Sequence, residues 1–316
     1  MQHIPNVDLR DFLSDDPARK QKFVNEIGKA YEEIGFVALK GHFLSNELVE
    51  KLYKQIRSFF DLPLEVKKNY EIPGIGGQRG YVSFGKETAK GQTKADLKEF
   101  WHFGQYIEND SQISKKYPEN VFVNELPEFN STGKETYKML EKTGVYVLRA
   151  LALYLNLDEF YFDSFVKNGN SILRPIHYPP ITEEPKDAVR AAAHGDINLI
   201  TLLMGAQGKG LQVQNHKGEW IDAIATEDEL VINVGDMLSR HTNNKLKSTI
   251  HRVVNPPREF WKTSRYSIPF FMHPIVEMPL NCLENCIDEK QPKQFEDITA
   301  GDFLTERLIE LGLIKK

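Results

Sequence analysis

Six short runs of β-forming residues, separated by turn residues, occupy the second half of this 316-residue chain. They are Ser171–Tyr178, Ile197–Met204, Leu211–Gln214, Leu230–Val234, Ile250–Val254 and Tyr266–Met272. Glycine, asparagine and proline lie between them, and several short strands punctuated in this way are typical of a β-sandwich or a β-barrel. The pattern therefore predicts that the second half of the chain folds around such a β core.

The first half of the chain carries helix signals instead. Asp16 followed by Pro17 is typical of a helix start, and apolar residues recur after it at spacings of three and four. Ser45 can cap a second helix, and a third is expected between about residues 133 and 156. We expect a further, closing helix over Thr299–Leu313, at the C-terminal end of the sequence. No linker separates the helical half from the β half, so we expect both to share one core.

Composition and charge exclude several classes of protein. Hydrophobic residues make up 41% of the chain and charged residues 27%, which is ordinary for a globular protein. The net charge of −5 argues against binding to nucleic acid or to an anionic membrane, since both need a concentrated positive field. Two cysteines, Cys282 and Cys286, make no disulfide framework, and no signal peptide or membrane-spanning run is evident. We expect a cytoplasmic protein.

The pair His194 and Asp196 is the first candidate for chemistry. Residues two apart on a strand point to the same face, so an imidazole and a carboxylate there could hold one metal ion. For a third ligand we favour His251, which lies in a β-forming run, over His241, which lies in a turn. Two histidines and a carboxylate form the facial triad of non-haem Fe(II) enzymes. Zinc remains an alternative, and a lone His-x-Asp pair is more often a structural hydrogen bond.

Arg265 and Ser267 form a second same-face pair, further along the chain. A guanidinium beside a hydroxyl suits a carboxylate, which can accept a bidentate pair and one further hydrogen bond. Apolar neighbours predict that this arginine is partly buried and needs an anionic partner. A structural salt bridge is the alternative. The ordered occurrence of both pairs and a histidine between them favours a functional site.

Taken together, these motifs resemble the isopenicillin N synthase-like branch of the Fe(II)/2-oxoglutarate-dependent dioxygenases. The matching segments are IPNVDLRDF, AYEEIGFVALKGH, FFDLPLEVK, HGDINLITLL, ELVINVGDMLSRHTNNKLKSTIHRVVNPP, SRYSIPFFMHP and ITAGDFLTERL. The resemblance covers nearly the whole chain and implies a mixed α/β fold with a double-stranded β-helix (jelly-roll) core flanked by helices. It implies one compact unit over residues 1–316, with a mainly helical region at 1–165, the jelly-roll core at 166–290 and a C-terminal helix at 291–316.

The same resemblance implies the roles of individual residues. Three are implied to bind Fe(II), namely His194, Asp196 and His251. Three others are implied to bind 2-oxoglutarate, namely Arg265, Ser267 and Tyr178. With O2 as the second cosubstrate, the implied reaction releases succinate and CO2 and oxidises an unactivated C–H bond of a small-molecule metabolite, most often by hydroxylation. Gly195 stands where the family commonly has a larger residue, and we expect it to open space near the metal.

Substrate contacts are expected from the glycine-rich loop at residues 76–84, from residues 99–103 and from the β core. The candidates are Arg79, Tyr81, Phe100, Trp101, His102, Arg174 and Phe270. For each aromatic candidate, packing in the core is the competing expectation. We expect no nucleic-acid or membrane partner, and a monomer is compatible with the sequence.

Three other functions remain open at this point. An oxidase of the isopenicillin N synthase type would keep the Arg-x-Ser pair but would not use 2-oxoglutarate. A non-catalytic jelly-roll binding protein would not need all three metal ligands. A zinc hydrolase would leave the carboxylate anchor unexplained.

Overall fold

Helices form most of the N-terminal half, as the apolar spacing predicts. The computed structural model describes residues 3–86, 96–107, 116–182, 184, 189–204 and 210–310. Its helices are α1 (Leu9–Phe12), α2 (Pro17–Glu33), α3 (Asn46–Phe60), α4 (Leu64–Lys68), α5 (Pro127–Tyr154), α6 (Asp163–Val166), α7 (Asp236–His241) and α8 (Ala300–Glu310). Asp16 caps α2 and Ser45 caps α3 through side-chain hydrogen bonds, as expected. The closing helix is present as α8, and residues 311–313 of its predicted range lie outside the described residues.

Strands form two sheets. They are β1 (Asn6–Asp8), β2 (Phe36–Lys40), β3 (Gly80–Val82), β4 (Glu99–His102), β5 (Ile172–Leu173), β6 (Ile176–Tyr178), β7 (Ala191–His194), β8 (Ile200–Met204), β9 (Leu211–Gln214), β10 (Trp220–Asp222), β11 (Leu230–Val234), β12 (His251–Val253) and β13 (Arg265–Met272). The larger sheet has the order β1-β2-β11-β8-β13-β6-β4-β3, with β5 also paired to β13. The smaller sheet has the order β10-β9-β12-β7. Apart from the parallel pair β1–β2, the described pairings are antiparallel.

The two sheets face each other across a small apolar core. Phe36 and Val231 of the larger sheet pack in one buried cluster with Val213 and Val253 of the smaller sheet. The ring of Phe36 also contacts the ring of His251, with centroids 5.6 Å apart. One end of the space between the sheets is therefore filled by side chains, and His251 lies beside that apolar plug.

The opposite face of the larger sheet packs on the helices. Ile268, Phe270 and Met272 of β13 belong to the main core together with residues of α2, α3 and α5. Side chains alternate along a strand, so Arg265, Ser267 and Phe271 point the other way, into the space between the sheets. Among the described residues, no helix combines the length and the apolar character that crossing a membrane requires.

Candidate active site

Three potential metal ligands converge at the inner face of the smaller sheet. His194 is the last residue of β7, and His251, the first of β12, lies directly opposite it in the antiparallel register. Asp196 follows β7 after Gly195, and its Oδ1 lies 4.0 Å from Nε2 of His194 and 3.8 Å from Nε2 of His251. One ligand atom from each residue lies within 4.8 Å of the others. The structure thus brings the three predicted residues together.

Backbone carbonyls fix the orientation of both imidazoles. His194 Nδ1 lies 2.7 Å from the carbonyl oxygen of Ala192, and His251 Nδ1 lies 3.2 Å from that of Thr249. A carbonyl can only accept a hydrogen bond, so each Nδ1 carries the proton and each Nε2 keeps its lone pair for a metal. Although one side of its ring is open to solvent, desolvation by the surrounding protein, followed by the neighbouring His251, lowers the pKa of His194 to about 4.

Two polar residues hold the carboxylate of Asp196. Its Oδ2 accepts hydrogen bonds from Thr201 Oγ1 at 2.6 Å and from Asn233 Nδ2 at 2.8 Å, which leaves Oδ1 facing the imidazoles. Burial acts to raise the pKa of this carboxyl, but the two histidines and these hydrogen bonds outweigh it and lower the pKa. Sequence reasoning missed both residues. In the sequence, each of them is a polar residue within an otherwise apolar strand. In the structure, they occupy paired positions of β8 and β11.

We expect Thr201→Val to weaken metal binding without removing a ligand. The substitution keeps the shape of the side chain but removes a hydrogen bond that orients Asp196, so Fe(II) affinity should fall by roughly 10–100-fold. Thr132→Val is the matched control, since Thr132 Oγ1 is also buried and has no hydrogen-bond partner in the described part of the chain. Anaerobic Fe(II) titration measures both variants. Equal affinity in Thr201→Val and the parent protein would contradict the role given to Thr201.

Gly195 lies between His194 and Asp196. A Cβ atom there would lie 3.4 Å from Asp236 Oδ1 and from Ser248 Oγ. These are ordinary contact distances, and the expectation that Gly195 opens space near the metal stays a prediction.

Gly195→Ala is therefore expected to keep Fe(II) affinity within about twofold of the parent protein and to change the free energy of unfolding by less than about 0.5 kcal/mol. Metal titration and urea unfolding test this. A large loss of metal affinity would show that the backbone at Gly195 needs glycine.

His241 packs within the protein, in agreement with the expectation that His251 rather than His241 is the third ligand. It is the last residue of α7 and is buried. Its Nε2 lies 2.9 Å from the hydroxyl of Tyr161, and the two rings stack with centroids 5.9 Å apart. The imidazole is therefore engaged in packing away from the three converging ligands.

A buried guanidinium that has no anionic partner among the described residues lies on the face of β13 that points into the space between the sheets. Arg265 is only 2% exposed and stands opposite Tyr178 in the β13–β6 register, with its Cζ 5.1 Å from the centre of the tyrosine ring. Within the described residues, none of its three nitrogens has a hydrogen-bond partner. Ser267, also buried, shares the same strand face. Since an unpaired buried charge is costly, this arrangement fits a bound carboxylate.

A second group of side chains lines the same side of the larger sheet. The guanidinium of Arg174 lies between two rings, 4.6 Å from the centre of Phe100 and 5.0 Å from that of Phe271. It also donates to Nε2 of His102, whose Nδ1 lies 2.6 Å from the carbonyl oxygen of Gly77. Phe100 packs in one cluster with Tyr178. Three of the predicted substrate residues, Phe100, His102 and Arg174, thus form one group with Phe271 on the side of the larger sheet that carries Tyr178.

Two of the aromatic candidates lie in the helix-facing core instead. Trp101 is fully buried and packs edge-on against Phe59 of α3, with ring centroids 4.9 Å apart. Tyr81 also contacts Phe59 and donates its hydroxyl to Glu99. Alternation along β4 places Phe100 and His102 on one face and Trp101 on the other. The expectation that Tyr81 and Trp101 contact substrate is therefore corrected.

Phe270 also lies in the helix-facing core, and Arg79 is held by neighbouring polar groups. Phe270 is fully buried against Tyr137 of α5, with ring centroids 5.0 Å apart, so Phe271 is the residue of this strand that faces the site. Arg79 is fully buried, and its guanidinium donates to the carbonyl of its neighbour Gln78 and to Asn170. Phe270 is therefore corrected as a substrate contact because its ring faces α5, and the expectation for Arg79 stays a prediction.

Two facing antiparallel sheets with a His-Asp-His group beside a buried arginine define a jelly-roll, non-haem metal oxygenase. The chain belongs to the 2OG-Fe(II) oxygenase superfamily. The model of that superfamily matches residues 169–274, and the model for the N-terminal region of the non-haem dioxygenase in morphine synthesis matches residues 4–128. The 2-oxoglutarate-Fe(II) type oxidoreductase hxnY of Emericella nidulans is 32% identical, over 95% of this chain and 88% of its own length.

Solved structures give the same result. A 2OG-Fe(II) oxygenase family protein from Caulobacter crescentus is 41% identical, with a TM-score of 0.89 over 98% of this chain and 99% of its own. A Neurospora crassa protein, solved in complex with alpha-KG and thymine, is 32% identical, with a TM-score of 0.85 over 97% and 96% of the two chains. The predicted family, jelly-roll fold class and use of Fe(II), 2-oxoglutarate and O2 are confirmed.

Proposed function

We propose that this Fe(II)- and 2-oxoglutarate-dependent oxygenase hydroxylates an unactivated C–H bond of a small-molecule metabolite and releases succinate and CO2. In this proposal the iron ligands are His194, Asp196 and His251. The observation that carries it is the convergence of one ligand atom from each of these residues within 4.8 Å, together with a buried guanidinium that lacks an anion among the described residues. His194 and His251 lie on paired strands, which hold them rigidly, as a metal site requires.

Each side chain has a definite task in the proposed reaction. Iron, when bound, supplies the redox chemistry with O2 that amino-acid side chains cannot provide. His194, Asp196 and His251 would hold the iron, and three protein ligands would leave further positions for the cosubstrate and O2. Arg265 and Ser267 anchor the distal carboxylate of 2-oxoglutarate, and Tyr178 lines the same pocket. Fixing one end of the cosubstrate orients its keto acid end toward the metal.

The proposed substrate surface is formed by Phe100, His102, Arg174 and Phe271. Two aromatic rings suit a flat ring, while a guanidinium flanked by them suits a hydrogen-bond acceptor such as a carbonyl oxygen. The thymine bound by the Neurospora crassa relative is a small molecule of this type. These features support a small, flat substrate with polar ring substituents.

Two neighbouring phenylalanines give a matched test of this surface. Phe271→Ala is expected to raise the KM for the prime substrate, or to lower coupled turnover, while the fold remains stable. Phe270→Ala should instead lower the free energy of unfolding by about 3–5 kcal/mol, because it leaves a cavity against α5. Urea unfolding and steady-state kinetics separate the two effects. A destabilisation of similar size in both variants would contradict the assignment of faces.

The overall reaction is tested by measuring O2 uptake and succinate release together in a screen of small metabolites. We expect equimolar succinate and O2 with an effective substrate, together with a product heavier by one oxygen atom. O2 uptake with substrate oxidation but no succinate would instead indicate the oxidase reaction. A product lighter by two hydrogens would indicate desaturation.

A further inference from the structure

A second arginine, Arg190, lies against the ring of Tyr178. It precedes β7, four positions before His194, and is only 3% exposed. Its Cζ lies 5.7 Å from the centre of the tyrosine ring, and the Cζ of Arg265 lies 5.1 Å from the same centre. Two guanidinium groups from opposite sheets therefore border one buried tyrosine.

Neither guanidinium has a carboxylate partner among the described residues. The Nε atom of Arg190 has no hydrogen-bond partner there, and its Nη2 reaches only the carbonyl oxygen of Thr263, at 3.5 Å. Arg265 makes no hydrogen bond within the same set of residues. Desolvation and then the charge of Arg265 lower the pKa of Arg190 to about 10, so Arg190 is still charged at neutral pH. Like charges buried together favour the binding of an anion.

The distal carboxylate of 2-oxoglutarate has room for a further donor. A carboxylate offers about four acceptor positions. A bidentate contact with Arg265 uses two of them, and the hydroxyl of Ser267 uses a third. One position then remains for another N–H, and a second positive charge nearby strengthens the binding of the carboxylate.

We propose that Arg190 is a second cosubstrate-binding residue, which together with Arg265 forms a doubly cationic subsite for the distal carboxylate of 2-oxoglutarate. This inference rests on the role proposed above for Arg265 and Ser267. It makes Arg190 a determinant of selectivity, because a keto acid without a distal carboxylate gains nothing from the second charge. A structural role, such as supporting the ring of Tyr178, would affect both kinds of acid alike.

The test is calorimetric titration of the Mn(II)-loaded protein with 2-oxoglutarate and with 2-oxopentanoate, which has the same chain length but no distal carboxylate. Arg190→Met is expected to weaken 2-oxoglutarate binding by about 10–100-fold, since hydrogen bonds to charged groups are among the strong ones. Binding of 2-oxopentanoate should stay within about twofold of the parent protein. Arg240→Met is the matched control. Arg240 also stacks on aromatic rings, but its partners are Phe295 and Phe303, and neither of these belongs to a sheet.

The outcomes separate this inference from the proposed function. Unchanged 2-oxoglutarate binding in Arg190→Met, or equal weakening of both acids, overturns the role of Arg190. Unchanged binding in Arg265→Met overturns the carboxylate anchor itself. Arg190→Lys provides the test if the methionine variant does not fold. Lysine keeps the charge but loses the planar fork of the guanidinium. We therefore expect a several-fold loss of affinity for 2-oxoglutarate and no change for 2-oxopentanoate. An affinity for 2-oxoglutarate equal to that of the parent protein contradicts the inference.

Discussion

Replacing His251 with alanine is expected to abolish Fe(II)-dependent turnover of 2-oxoglutarate, with a loss of about a thousandfold or more. The imidazole is one of three converging ligands, and its Nε2 lies 3.8 Å from Asp196 Oδ1. The contribution of a bound metal ion to such reactions amounts to several kcal/mol, and each 1.4 kcal/mol corresponds to about a factor of ten. Succinate release and metal content after dialysis measure the loss.

The control for this prediction is His216→Ala. His216 is exposed in the turn between β9 and β10, away from the converging ligands, so its removal should leave metal content and turnover unchanged. If His251→Ala keeps one equivalent of iron and normal turnover, a different group holds the metal and the site has been placed incorrectly.

Replacing Arg265 with methionine is expected to have opposite effects on cosubstrate binding and on stability. The affinity for 2-oxoglutarate should fall by about 30-fold or more, because truncating one partner of a buried charge pair costs at least about 2 kcal/mol. The ligand-free protein should gain about 1 kcal/mol or more in free energy of unfolding, since a buried charge without an anionic partner is replaced by an apolar side chain of similar length. Titration with 2-oxoglutarate and urea unfolding without ligand measure the two effects.

Arg252→Met is the matched control for Arg265→Met. Arg252 lies next to His251 on β12 but stacks over Trp220 at 4.0 Å and bonds Gln212, on the opposite face of the strand from the metal ligand. Cosubstrate affinity should not change in this variant. A ligand-free Arg265→Met protein that is less stable than the parent would indicate that an anion-independent contact holds Arg265.

The positions of several strands and of the three converging residues could be predicted because each depends on local pattern. Short β-forming runs broken by turn residues predicted Leu230–Val234 with its observed bounds. The choice of His251 over His241 followed from its place in such a run, and the structure places it opposite His194. The β7 strand, however, ends at His194, so Asp196 is aimed by the turn that follows rather than by strand alternation.

The direction of side chains in β13 could not be predicted from the sequence. Seven of its eight residues are buried, so apolar residues occupy both faces and the usual alternation of apolar and polar positions is absent. Phe270 and Phe271 are equivalent in such a pattern, and only the packing of α5 against one face separates them. Thr201 and Asn233 were missed for a related reason, because their partner Asp196 belongs to a different segment of the chain.

The most direct test of the central claim is an anaerobic titration of the Fe(II)-loaded protein with 2-oxoglutarate, followed by visible absorption. Chelation of a metal by the keto acid gives a charge-transfer band that neither component shows alone. We predict a band that saturates at one equivalent of 2-oxoglutarate per chain and that is lost in His251→Ala. The absence of any band in the parent protein, or a band of full intensity in His251→Ala, would contradict a metal site built from His194, Asp196 and His251.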